Sequence, residues 1–174
     1  MNTIDGLGVA IATPFDDANN IDYDAFERLL DFFVGRDFEA SAGDYARRTF
    51  GGGASLERFR LFWERESGGA QFVVVLGSTG EGPTVEAEER RELVRRAVER
   101  KLGIPVVVGT GSNSTKAAVR LTEEAVDLGA DAVLVVVPYY NKPTPAGLIA
   151  HFRAVAAAAS SKPVIVYNVP GRTG

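Results

Sequence analysis

The chain has 174 residues, 45% of them hydrophobic and 24% charged, with a formal net charge of −4. That balance suits one soluble globular domain and lacks the basic excess expected of a nucleic-acid partner. Zero cysteines exclude disulfides and thiolate metal centres, and a single histidine excludes a histidine-cluster metal site.

Residues 1–5 carry neither the basic nor the apolar segment of a secretory signal, and no apolar run nears the ~20 residues of a membrane span. A cytoplasmic protein with no membrane partner is expected.

A βα rhythm follows. Residues 8–13 read as a short apolar strand closed by Thr13-Pro14-Phe15. Residues 21–33 place Ile21, Phe26, Leu29, Leu30 and Phe33 at helical spacing, with Asp22 and Asp24 near the start. Residues 72–76 are an apolar, valine-rich run, read as a parallel strand buried on both faces. It feeds the loop Gly77-Ser78-Thr79-Gly80-Glu81-Gly82, which exposes amide groups and two hydroxyls. Thr84 is the expected N-cap of a charged helix over 84–102, with Val85, Leu93, Val94, Ala97 and Val98 as its apolar stripe. Next come a strand over 104–109, a helix over 115–128 stopped by Gly129, and a strand over 132–137. Thr144 and Pro145 open a helix to about 159. A strand over 163–166 then leads into Tyr167-Asn168-Val169-Pro170-Gly171-Arg172-Thr173-Gly174.

The later strands recur about every 30 residues, the period of βαβ units. Polar residues gather after the strand C-terminal ends, where open α/β sheets and eight-stranded barrels both keep their sites. The first interval is about one unit too long. Within it, 55–66 reads as an amphipathic helix with Leu56, Phe59, Phe62 and Trp63 on one side, preceded by Gly51-Gly52-Gly53. We read 34–68 as an insertion into one domain spanning 1–174.

Each motif has a plain alternative. The loop at 77–84 follows the spacing of a phosphate-binding P-loop, but Pro83 stands where the lysine belongs. Gly109-Thr110-Gly111 lacks the third glycine of a dinucleotide fingerprint. A hydroxyl loop at a helix N-terminus can hold a carboxylate or phosphate, yet the same composition serves ordinary turns. Tyr139 and Tyr140 end strand four and Tyr167 ends strand five, and a phenol beside a hydroxyl can relay protons. Position alone favours core packing for Tyr139 and leaves Tyr140 and Tyr167 open. Arg172 is placed either to clamp a carboxylate or to serve as a solvated loop charge. His151 reads as structural or solvent-facing, and Glu81 as a loop hydrogen-bonder.

Five motifs occur in order: Gly8-Val9-Ala10-Ile11-Ala12-Thr13-Pro14-Phe15, Gly77-Ser78-Thr79-Gly80-Glu81, Gly109-Thr110-Gly111, Pro138-Tyr139-Tyr140-Asn141-Lys142-Pro143 and 167–174. Together they resemble the dihydrodipicolinate synthases (4-hydroxy-tetrahydrodipicolinate synthases) of the N-acetylneuraminate lyase superfamily, over about 1–33 and 69–174. The resemblance implies an α/β fold of the (β/α)₈ TIM-barrel type, here with strands one to five, and a homotetramer built as a dimer of dimers. It implies a pyruvate-dependent class I aldolase-type lyase of lysine and diaminopimelate biosynthesis. That enzyme condenses pyruvate with L-aspartate 4-semialdehyde to 4-hydroxy-tetrahydrodipicolinate. Pyruvate is held as a Schiff base on a barrel lysine, without a separate cofactor or metal. By motif match Tyr167 is the proton donor and acceptor, and Ser78 and Tyr140 complete the relay, Tyr140 from across a dimer interface. Thr79 binds the pyruvate carboxylate and Arg172 the semialdehyde's carboxylate.

Three departures qualify the match. Ser78 stands where these synthases usually carry threonine, and serine there is common in the neuraminate lyases. The segment 34–68 is foreign to the family. The family's Schiff-base lysine lies on strand six, and none of Lys101, Lys116, Lys142 and Lys162 ends a barrel strand. The expectation is the substrate-orienting part of a lyase, inactive alone. The alternatives are a non-catalytic half-barrel that binds a keto acid or protein partner, and an N-acetylneuraminate lyase or 2-keto-3-deoxy sugar acid aldolase.

Overall fold

Valine fills 73–75 and 106–108, and each run becomes a strand buried on both sides. The computed structural model describes residues 4–35 and 69–173. Its strands are β1 (Gly8–Ala10), β2 (Phe72–Val75), β3 (Val106–Gly109), β4 (Ala132–Val136) and β5 (Val164–Tyr167). Its α-helices are α1 (Tyr23–Phe33), α2 (Ala87–Glu99), α3 (Thr115–Asp127), α4 (Pro145–Ala158) and α5 (Pro170–Thr173).

The strands form one sheet in the order β1-β2-β3-β4-β5, every neighbouring pair parallel. A doubly wound sheet would reverse direction at a switch point; an unbroken sequential order is that of a barrel wall. These five strands make a half-barrel.

Alternation sorts the strand residues onto two faces. Val73, Val75, Val106, Val108, Val133 and Val135 join the large core with Leu93, Val94 and Ala97 of α2, Ala118 and Ala125 of α3 and Val155 of α4. Val74, Val107 and Ala132 form a separate inner cluster, backed by Phe72, Leu134, Ile165 and Ile4. The register pairs Val74 with Val107, Val107 with Ala132, and Leu134 with Ile165, so the inner cluster is one continuous layer. Continuing the alternation puts Gly109, Val136 and Tyr167 on the inner face at the C-terminal rim, with Val136 paired to Tyr167. The outer strands β1 and β5 each have one strand neighbour among the described residues, and Val166 on β5 is 58% exposed.

The helix starts follow their caps with one correction. Asp22 accepts from the Ala25 N–H at 2.8 Å, and Thr144 accepts from the Gly147 N–H at 3.2 Å with Pro145 behind it. Gly129 takes φ +96 just past α3, as expected of its stop. Thr84, however, does not cap α2. It closes a 3₁₀ turn, Gly82–Thr84, and its hydroxyl donates to the Glu81 carbonyl at 2.9 Å. Val85 is then extended, and α2 begins at Ala87 through a capping box of Glu86 and Glu89. The turn α5 was also not expected, because 167–174 reads as a loop. No helix among the described residues is long and apolar enough to cross a membrane.

Charges tie α2 to α1. Arg96 donates to Glu27 at 2.6 Å, Arg100 donates to Glu27 at 2.8 Å and to Asp31, and Arg96 lies over the Tyr23 ring at 4.7 Å. Glu92 accepts from Arg95 and Arg96, which hold its carboxyl down to about 2. A depressed carboxylate contributes stability above its unfolded value, and that contribution fades as pH falls from about 4.5 toward about 2. Glu92→Gln should therefore lower the melting temperature at pH 6, by the equivalent of under about 1 kcal/mol for a surface pair. The gap to the parent should narrow by pH 2.5. A gap that widens in acid would contradict this.

The insertion expected at 34–68, with its helix at 55–66, lies outside the described residues except for Val34 and Gly35. Its flanks are described, and they adjoin: the Ala70 N–H donates to the Phe33 carbonyl at 2.8 Å, and Gly69 packs on Phe33 and Val34. Because the flanks already meet, replacing 36–68 with a linker of about three residues should leave the half-barrel folded. Loop closure alone favours the shorter connection by about 2 kcal/mol. The expected thermal melt is at or above the parent's; a large loss of soluble, protease-resistant protein would place 36–68 in the core.

Candidate functional site

The site is built from three loops at the C-terminal ends of β2, β4 and β5. After β2, buried Leu76 takes φ +58 and turns the chain out of the sheet. The loop that follows folds back through the Glu81 N–H to the Ser78 carbonyl and the Gly82 N–H to the Gly77 carbonyl, both at 3.3 Å. It lies against bare backbone: a Cβ on Gly80 would stand 2.9 Å from the Ile11 carbonyl oxygen. Buried Thr13, from the end of the first strand segment, donates its hydroxyl to the Gly80 carbonyl at 2.6 Å. Arg90 of α2 donates to the carbonyls of Gly82 at 2.7 Å and Gly109 at 3.0 Å. Ser78 and Thr79 are left exposed at the loop's tip.

After β4 the chain passes through Tyr139 to Tyr140, which takes φ +68 and is 88% exposed. Asn141 holds this loop down by donating its side-chain amide to the Asn113 carbonyl at 2.9 Å, while its N–H reaches the Tyr139 carbonyl at 2.8 Å. After β5, Tyr167 stands on the inner face and is 37% exposed. Buried Thr173 donates to the Asn168 side-chain oxygen at 2.7 Å and to the Val169 carbonyl at 3.1 Å, fixing the turn α5 that carries Arg172.

These loops enclose a cleft of about 610 Å³. Ser78, Tyr140, Tyr167 and Arg172, four of the five expected site residues, line it together. Thr79 is exposed in the same loop but does not line the cleft. Within this chain no hydrogen bond joins the hydroxyls of Ser78, Tyr140 and Tyr167 among the described residues. None of Lys101, Lys116, Lys142 and Lys162 lines the cleft.

Tyr139 is the correction here: it lines the cleft instead of packing in the core, because β4 ends at Val136 and the chain has already turned over the rim. His151 is structural, 3% exposed, its Nδ1 sharing a 2.9 Å hydrogen bond with the Thr115 hydroxyl, and burial pushes its pKa below the usual value. Glu81 serves the loop through its backbone, accepting from Thr84. Sequence reasoning did not find Thr13, Arg90 or Thr173. Arg90 sits among Glu88, Glu89 and Arg91, where an arginine reads as solvated.

A sequentially ordered parallel wall that gathers hydroxyls, phenols and a guanidinium at its C-terminal rim defines half of a (β/α)₈-barrel protein with its site on the customary face. The chain belongs to the dihydrodipicolinate synthetase family, whose sequence model matches residues 65–174. The 4-hydroxy-tetrahydrodipicolinate synthase of Kosmotoga olearia is 44% identical over 170 residues, which is 97% of this chain and 46% of that protein. That of Alkaliphilus oremlandii is 45% identical over 170 residues, 97% of this chain and 47% of the relative. Among solved structures, a dihydrodipicolinate synthase of Bacillus anthracis superposes with a TM-score of 0.77 at 34% identity, covering 99% of this chain and 48% of that one. The chloride-inhibited dihydrodipicolinate synthase of Acinetobacter baumannii, complexed with pyruvate, gives a TM-score of 0.75 at 37% identity over 99% and 48% of the two chains. The chain thus spans about half the length of the relatives it matches.

Proposed function

We propose that these residues form the substrate-orienting part of a 4-hydroxy-tetrahydrodipicolinate synthase, a pyruvate-dependent class I aldolase-type lyase. The observation that supports it is the convergence of Ser78, Tyr140, Tyr167 and Arg172, from three separate stretches of sequence, on one cleft. In this reading Thr79 takes the pyruvate carboxylate and Arg172 clamps the carboxylate of aspartate semialdehyde through its guanidinium fork. Tyr167 moves the proton, relayed through Ser78 and Tyr140. The amine that forms the imine comes from a sixth barrel strand outside these 174 residues. Loss of water gives the imine, loss of a C3 proton gives the enamine, and the enamine carbon attacks the aldehyde, so that no dissociable cofactor or metal is called for.

The wider reading is one barrel domain over 1–174, interrupted at about 34–68, acting in the cytoplasm in a homotetramer built as a dimer of dimers. Tyr140 lines the edge of this cleft and is 88% exposed, which supports a phenol left open to a neighbouring protomer in such an assembly. Ser78 makes longer 2-keto-3-deoxy sugar acids the substrates to compare.

The test is a chimera that joins this chain to the C-terminal half of a relative. It should condense pyruvate with aspartate semialdehyde, and Tyr167→Phe should lower its kcat by about 10²–10⁴, the usual worth of a general acid–base group. A folded chimera that prefers sugar acids, or whose rate ignores Tyr167, would overturn the proposal.

A further inference from the structure

Arg90 lies one turn into α2, half-buried beside the cleft. Its Nη2 donates to the Gly82 carbonyl at 2.7 Å and its Nη1 to the Gly109 carbonyl at 3.0 Å. Those two carbonyls belong to different walls of the site: Gly82 closes the hydroxyl loop, and Gly109 ends β3. Among the described residues no carboxylate is hydrogen-bonded to Arg90. Burial pushes its pKa below the usual value, Glu124 raises it and Arg120 lowers it. The guanidinium fork is therefore spent on backbone, spanning two segments in the way its planar pair of donors allows.

The loop needs such a clamp. Its own turn bonds are long, both at 3.3 Å, and its tip is exposed. Thr13 holds one flank through Gly80 at 2.6 Å. The root rests directly on β3, where a Cβ on Gly109 would stand 2.2 Å from the Leu76 carbonyl oxygen. Contact at Gly109 sets how deep the loop sits; nothing else among the described hydrogen bonds ties its far end, Gly82, to β3.

We propose that Arg90 is a positioning residue, whose guanidinium clamps Gly82 to Gly109 and thereby holds Ser78 in place at the cleft and Thr79 beside it in the same loop. The functional half of this statement rests on the reading that those hydroxyls receive pyruvate. Arg90 acts through the two carbonyls and not by touching the reacting atoms.

Amide hydrogen exchange on the ¹⁵N-labelled 174-residue chain tests the clamp, and titration with sodium pyruvate tests its consequence. In Arg90→Met the Glu81 and Gly82 amides should exchange at least about tenfold faster, as expected for losing hydrogen bonds from a charged donor. The Val133 amide, in β4, should keep the parent's rate. Arg90→Lys, whose ammonium can serve one carbonyl, should fall between the two, and Arg95→Met, on the outer face of α2, should leave the loop unchanged. Pyruvate should shift the Ser78 and Thr79 amides in the parent and bind about tenfold more weakly to Arg90→Met. Unchanged exchange at Glu81 and Gly82, or a uniform acceleration that includes Val133, would overturn the clamp. If the loop responds as expected but the parent shows no pyruvate shifts, the pyruvate reading fails and the clamp stands.

Discussion

Incubated with pyruvate and borohydride, the 174-residue chain should gain no stable adduct, and the condensation rate should be indistinguishable from background. Trapping needs a lysine amine that can attack the keto carbon inside the site. Lys101 follows α2 at φ +49, Lys116 lies in the first turn of α3, and Lys162 precedes β5 at the end of the sheet away from the cleft. Lys116 and Lys142, which follow β3 and β4, are on the same end as the cleft, but both are exposed and neither lines it. An amine outside the cleft is not positioned to attack the keto carbon of a pyruvate held within it. Mass spectrometry of the reduced sample reads the outcome. A stable pyruvate adduct on any of the four lysines would sink the claim and would make this chain a self-sufficient imine former.

Gly109→Ala should destabilise the chain by about 3 kcal/mol or more, at the upper end of what forcing an added methyl into a packed interior costs. The new Cβ would stand 2.2 Å from the Leu76 carbonyl oxygen and 2.9 Å from the Gly77 nitrogen. Both neighbours are backbone, so no side chain can swing aside. Either β3 or the root of the hydroxyl loop must move, and the Arg90 bond to the Gly109 carbonyl moves with it. Gly171→Ala is the control: its Cβ meets nothing within 4 Å, so a change within about 0.5 kcal/mol is expected. Denaturant unfolding of both variants compares them directly. A Gly109→Ala variant as stable as the parent would mean that loop and strand do not approach so closely.

Much of the wall was legible because its cause is local. Runs such as 73–75 and 106–108 are valine at every position, and only a strand covered on both faces buries such a run. Asp22, Gly129 and Thr144-Pro145 marked helix ends because caps act within one turn of chain. The candidate residues Ser78, Tyr140, Tyr167 and Arg172 meet at the cleft because each of their motifs sits at or just past the C-terminal end of a parallel strand. Thr84 misleads because a hydroxyl just before a charged, periodic run signals a helix start, whereas the Glu86–Glu89 pair two residues later caps the helix better.

The order of strands and helices, the parallel sense of the sheet and the end at which the candidate site residues gather are legible in the sequence. These follow from hydrophobic period, turn chemistry and the length of each crossover. Only the tertiary structure decided how the site loop is held. Thr13 reaches Gly80 across 67 residues, and Arg90 reaches Gly109 across 19, so neither partner stands within the window that a local pattern can report. A half-buried arginine on a charged helix looks like its solvated neighbours until a carbonyl from another strand appears beside it. The physical reason is that caps and periods are set by neighbours in sequence, whereas a backbone carbonyl offers the same acceptor at every residue. Which one a distant side chain finds is settled only when the strands have been brought together.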